Sequence, residues 1–202
     1  MVMSWSILSL AVACVALGIA LGVAGCAAWR APRPRPGDRE PGACSLRALV
    51  EKLSPAAKRS LESAAGLALA HSHHRVEVEH WLLRLAEDCE SDVAQLFQFY
   101  EVLTGPLMRD LGDAVDRYPD GNEQVPVLAP ELVRLLGLAW NAATEEFDSP
   151  QLRSGHVLYA ALSDRRLAGR LRRVSPEFEK VDTGSLRDQF GELILATEDS
   201  QS

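Results

Sequence analysis

The feature that most constrains this chain is a segment that occurs twice. Leu53-Ser54-Pro55 leads to Glu79-His80-Trp81-Leu82-Leu83, and Leu128-Ala129-Pro130 leads to Gly155-His156-Val157-Leu158-Tyr159. Pro55 and Pro130 are 75 positions apart and His80 and His156 are 76 apart, so the copies register with one inserted residue. Each copy opens with a proline, whose missing N–H and fixed φ suit a first helical turn. It then runs about fifteen residues as a helix, crosses a polar loop and restarts a helix at a histidine. Two copies are too few for an open solenoid, so they are expected to pack face to face as one globule.

Apolar residues recur at helical spacing throughout both copies. In the first they are Ala57, Leu61, Ala64, Ala65 and Ala68, then Val93, Leu96, Phe97, Tyr100 and Leu103, then Leu107, Leu111, Val115 and Tyr118. The second gives Leu132, Leu135, Leu136, Ala139 and Ala143, then Leu158, Ala161 and Leu162, then Leu186, Phe190, Leu193 and Ile194. No period-two pattern persists, and the expected fold is all-α, with two pseudo-repeats of about four helices. Ser54, Ser91 and Ser154 are placed as N-caps, and Gly105 and Pro119-Asp120-Gly121-Asn122 as breaks.

The run SLRALVEKLSPAAKRSLESAAGLA, the Glu79 to Leu83 helix start, GNEQVPVLAP at 121–130 and SGHVLYAAL at 154–162 resemble the Clp amino-terminal domain. The variety most resembled is the one at the front of the type VI secretion ATPase ClpV. The likeness covers roughly residues 45–195. Such a domain normally precedes two AAA+ cassettes, whose phosphate loop ends in Gly-Lys-Ser/Thr. Here the lysines are Lys52, Lys58 and Lys180, none after a glycine, so no ATP hydrolysis is expected.

Residues 5–29, WSILSLAVACVALGIALGVAGCAAW, carry no charge and end in a tryptophan on each side. As a helix the run is about 37 Å long, enough for a hydrocarbon core of about 30 Å. The expected organisation is therefore a transmembrane anchor at 1–29, a Pro/Arg-rich linker at 30–43, the helical domain at 44–196 and an acidic tail at 197–202. Arg30, Arg33, Arg35 and Arg39 follow the apolar run, and the positive-inside rule puts the domain in the cytoplasm on a bacterial inner membrane. Gly18 and Gly22 form a GxxxG that permits a homodimer. The alternative is a periplasmic lipoprotein, because Val23-Ala24-Gly25-Cys26 fits a lipobox; the missing basic n-region argues against it. The linker, with prolines at 32, 34, 36 and 41, is read as an extended tether reaching at most about 43 Å.

Charge and reactive residues narrow the function. Four arginines against Asp38 and Glu40 give residues 1–43 a net charge of +2, which leaves −9 for residues 44–202 out of the total of −7. A body that acidic opposes nucleic acid as partner. The basic cluster Arg165, Arg166, Arg170, Arg172 and Arg173 is read as a solvated helix face with acidic neighbours. His71, His73, His74 and His80, with Glu77, Glu79 and Cys89, match no zinc spacing; the loop histidines are placed in a solvated turn. Cys89 is expected to be an ordinary free thiol. His80 and His156 are expected to be structural, bonding the loop backbone. No catalytic residues, no cofactor and no metal are assigned.

What remains is recognition. The resemblance implies a hydrophobic groove that takes an amphipathic helix, with an extra leading helix as one wall. That helix is Ser45 to Lys52, supplying Leu46, Leu49, Val50 and Leu53, and the following helix supplies Ala57, Leu61 and Ala65. The groove is expected on the first copy, which the extra helix precedes. The expected partner is a helical protein segment, from a secretion-sheath subunit or a Clp-type ATPase.

Overall fold

The computed structural model describes residues 45–199. Helix α1 covers Leu46–Lys52, α2 Pro55–Ala70, α3 Val78–Glu87, α4 Asp92–Phe99 and α5 Thr104–Val115. The second copy follows with α6 at Pro130–Glu145, α7 at Ser154–Ser163, α8 at Arg165–Val174, a 3-10 turn at Pro176–Lys180 and α9 at Thr183–Asp199. The duplication is visible helix by helix: α2 and α6 have 16 residues each, and α3 and α7 have 10 each. The inserted residue lies in the connection to the second helix, residues 71–77 in one copy and 146–153 in the other.

Local chemistry sets the helix ends. The Ser54 hydroxyl accepts the Ala57 N–H at 3.3 Å, and Pro55 occupies the first turn of α2. Ser72 and Asp148, equivalent in the two copies, take the left-handed conformation at φ 55° and 46° just past α2 and α6. There the His73 N–H reaches back to the Ala68 carbonyl at 2.8 Å and the Ser149 N–H to Ala143 at 2.8 Å, closing carbonyls that the helix leaves open.

The copies are interlocked rather than stacked. Helices α2 and α3 pack together, as do α6 and α7, while α4 crosses to α7 and α9, and α5 meets α8. Two short parallel pairings join the copies. Strand β1, Arg75–Val76, pairs with β2, Val127–Leu128, and Leu53 bridges Leu152. The pairings are related by the repeat: the Ala129 N–H bonds the Val76 carbonyl at 3.0 Å, and the Ser54 N–H bonds the Leu152 carbonyl at 2.9 Å. Strands of two residues have no period to read, so the all-α expectation holds for the class and misses these links.

Trp81, Phe97, Phe178 and Phe190 anchor the core. The Trp81 indole donates to the Ser60 hydroxyl at 2.9 Å, which in turn donates to the Ala57 carbonyl at 2.8 Å, so neither polar group is buried unpaired.

Several boundaries differ from expectation. Ser154 is the first residue of α7, not its cap; its hydroxyl donates to Asp92 at 3.0 Å instead. Gly105 lies inside α5, and the break precedes it, between Phe99 and Thr104, where Glu101 turns at φ 52°. Helix α9 continues through Thr197 and Glu198 to Asp199, into the expected tail. No helix among the described residues is long and apolar enough to cross a membrane. The apolar run at 5–29, its glycine pair, the Cys26 lipobox and the linker at 30–43 lie outside the described residues.

Candidate functional site

Helix α1 is short, capped by the Ser45 hydroxyl accepting the Ala48 N–H at 3.3 Å. Although it joins the first copy in sequence, it packs on α6, the first helix of the second copy. The wall expected to flank a groove on the first half therefore stands against the second half. The cause lies at its end, where the Leu152 N–H bonds the Lys52 carbonyl at 2.8 Å and draws α1 across the boundary.

The seven candidate groove residues divide by burial. Leu49, Leu53, Ala57 and Leu61 belong to the core, the least buried at 6% exposure. They shape the site from below and offer little surface. Leu46 and Val50, one helical turn apart on α1, are half-buried, as is Ala65 on α2. A short apolar ridge with open surface therefore runs along α1.

Beside that ridge is a residue the sequence pattern had not singled out. Trp140, on α6, is half-buried, and the Lys52 ammonium stands 5.3 Å from its ring centroid. Lys52, Trp140, Thr144, Asp148, Ser149 and Pro150 line an open cleft next to the end of α1. Trp140 reads in sequence as one more apolar helix position. Its role depends on α1 crossing to α6, which no local signal announces. An apolar ridge, an accessible indole and the flanking charges of Lys52 and Asp148 suit recognition of an amphipathic helix.

The histidines have different employment. The His80 Nδ1 accepts the Glu77 N–H at 3.1 Å and the His156 Nδ1 accepts the Arg153 N–H at 3.0 Å, each closing the first turn of its helix. This is the loop-backbone bond expected of them. Burial holds both imidazoles down to about 4, so both are neutral near pH 7. With Nδ1 accepting, the His80 Nε2 carries the proton and donates to the His73 Nδ1 at 2.9 Å. His73 is buried, against the expectation of a wholly solvated turn, because the Asn122 side chain donates to its carbonyl at 3.0 Å and folds the inter-copy loop over it.

Among the described residues, no three His, Cys, Asp or Glu side chains gather where they could hold a metal ion. Glu79 turns inward to Arg170, at 2.6 and 2.7 Å, and accepts the Tyr118 hydroxyl at 2.8 Å. Arg170 also contacts Glu131, so this member of the basic cluster has the acidic neighbours expected. Cys89 is a free, exposed thiol.

These features place the chain among known proteins. The family profile of the Clp repeat (R) N-terminal domain matches residues 52–174, more than half of the chain. The chain belongs to the Clp repeat N-terminal domain family. It is 26% identical over 150 residues to the AAA+ ATPase ClpV1 of Pseudomonas aeruginosa, a span that is 74% of this chain and 17% of the ATPase. It is 27% identical over 149 residues to the chaperone protein ClpB of Yersinia enterocolitica, again 74% of this chain and 17% of the relative. The Clp repeat domain thus spans about a sixth of the length of these curated relatives. Among solved structures, a ClpV N-domain in complex with a VipB peptide has a TM-score of 0.64 at 28% identity, over 75% of this chain and 92% of that one. Most of α1 precedes the span matched by the family profile.

Proposed function

We propose that this Clp repeat domain is a docking module, tethered to the cytoplasmic face of a bacterial inner membrane, which binds an amphipathic helical segment of a type VI secretion sheath subunit. The observation that carries the reading is the α1–α6 surface, where half-buried Leu46 and Val50 adjoin the Trp140 cleft. It is supported by the similar ClpV N-domain solved with a VipB peptide. Tethering is supported by the uncharged run at 5–29 and the arginines after it. The Clp repeat domain itself carries no Gly-Lys phosphate loop, so its own contribution is to hold the partner or to compete for it.

The test is titration of the full chain with a synthetic amphipathic helix from a sheath subunit, read by calorimetry. Micromolar binding that falls at least about tenfold on Leu46→Asp or Trp140→Ala is expected. Equal binding by both variants would place the site elsewhere. A second reading, export as a lipoprotein, draws on Val23-Ala24-Gly25-Cys26. Palmitate labelling lost in Cys26→Ser would establish it.

A further inference from the structure

On another part of the surface, α6 and α8 enclose a cleft lined by Arg134, Arg165, Arg166, Arg170 and Arg173, with Glu131 as its carboxylate. Arg134 is paired with Asp164, and Arg170 with Glu79 and Glu131. Among the described residues, Arg165, Arg166 and Arg173 have no carboxylate within ion-pair distance. Arg166, Arg170 and Arg173 follow one another at i, i+4 and i+7 along one face of α8, an arrangement of like charges that weakens a helix. At Gly169, in the wall of the cleft, a Cβ would meet nothing nearer than the Arg173 guanidinium at 3.8 Å, so the cleft stays open between the arginines.

The geometry points to this cleft as a docking site for the phosphate groups of anionic phospholipids. Guanidinium forks match phosphate oxygens two bonds at a time, and three unpaired forks on one wall outnumber the single carboxylate there. Residues 44–202 carry −9 even with these arginines counted, so the domain as a whole is repelled by an anionic bilayer and this is the face that can approach one. The choice of lipid over an acidic protein rests on the tethered reading above: a linker of at most about 43 Å keeps the domain within reach of the headgroups. Docking would fix which face of the domain turns to the membrane.

The full chain in nonionic detergent micelles is melted alone, with added phosphatidylglycerol, with added phosphatidylcholine, and with inorganic phosphate. The expected result is a rise in Tm of about 3–6 °C with phosphatidylglycerol only. It disappears in Arg166→Glu/Arg173→Glu and shrinks in the milder Arg166→Gln/Arg173→Gln. The proposal is overturned by no rise, by an equal rise with phosphatidylcholine, or by inorganic phosphate matching the lipid, which would make it a free-anion site. A rise that survives in both variants would assign the effect to the linker arginines and likewise overturn it. Alkaline extraction of membranes tests the tether by itself: release of the chain removes the tether and leaves the lipid comparison readable.

Discussion

The Asp92 carboxylate, at the start of α4, stands at the start of α7 and accepts the backbone N–H of Gly155 at 3.3 Å. One copy thus caps a helix of the other, helped by the dipole of α7 and by the Ser154 hydroxyl at 3.0 Å and Arg153 Nε at 3.3 Å. The first copy has a counterpart in Glu79, which starts α3 and reaches Arg170 on α8. Asp92→Ala removes the acceptor of four donors on three residues, the Arg153 Nη2 at 2.5 Å among them, and is expected to lower stability by about 2–4 kcal/mol in urea unfolding, with the m value unchanged.

Arg170→Ala leaves Glu79, whose side chain is 2% exposed, with Tyr118 as its remaining polar partner and is expected to cost about 3–5 kcal/mol. Replacing all three with apolar residues, Glu79→Leu, Arg170→Met and Tyr118→Phe, should bring most of that back. If the triple variant is no better than the single one, the loss comes from packing and not from the stranded charge.

Two glycines are predicted to respond oppositely to alanine. At Gly155 a Cβ would lie 2.2 Å from the Phe190 ring, which is itself held by Phe147 and His156. Overpacking there is expected to cost about 1–3 kcal/mol. At Gly137, within α6, a Cβ meets nothing within 4 Å, and Gly137→Ala should add about 0.5–1 kcal/mol. Melting of both variants side by side checks the pair.

Stability should decline on mild acidification. His80 and His156 are neutral in the folded chain down to about pH 4, whereas unfolded histidines take up a proton near 6.5. The unfolded chain therefore binds more protons as pH falls from 6.5 to 4, and folding loses up to about 3 kcal/mol per histidine across that window, with no effect above it. Denaturation midpoints measured from pH 8 to 4, with histidine NMR titration, test this; ring pKa values near 6.5 would refute it.

Much of the architecture was legible because its signals are local. Proline at a first helical turn, apolar spacing along α2 and α6 and a histidine at N3 each act within a few residues, and the repeat doubled every signal. The cross-copy contacts have no such trace. The link between Val76 and Leu128 spans two residues of each partner, and Ser154 looks like a cap until Asp92 takes its hydroxyl from 62 residues away. The candidate site was half legible for the same reason. Leu46 and Val50 announce themselves on α1, but Trp140 enters only because the chain end at Lys52 is drawn over to Leu152.

That exchange of backbone bonds bears on origin and handling alike. Leu53 and Val76 of one copy each find a partner in the other, Leu152 and Leu128, so a lone copy would leave both edges bare. Two identical single copies could satisfy each other in the same way, so a swapped homodimer is a route by which such a fused chain could arise. It also makes the protein a candidate for splitting: a cut at the Gly121 turn should yield two fragments that are unfolded apart and recover the fold when mixed.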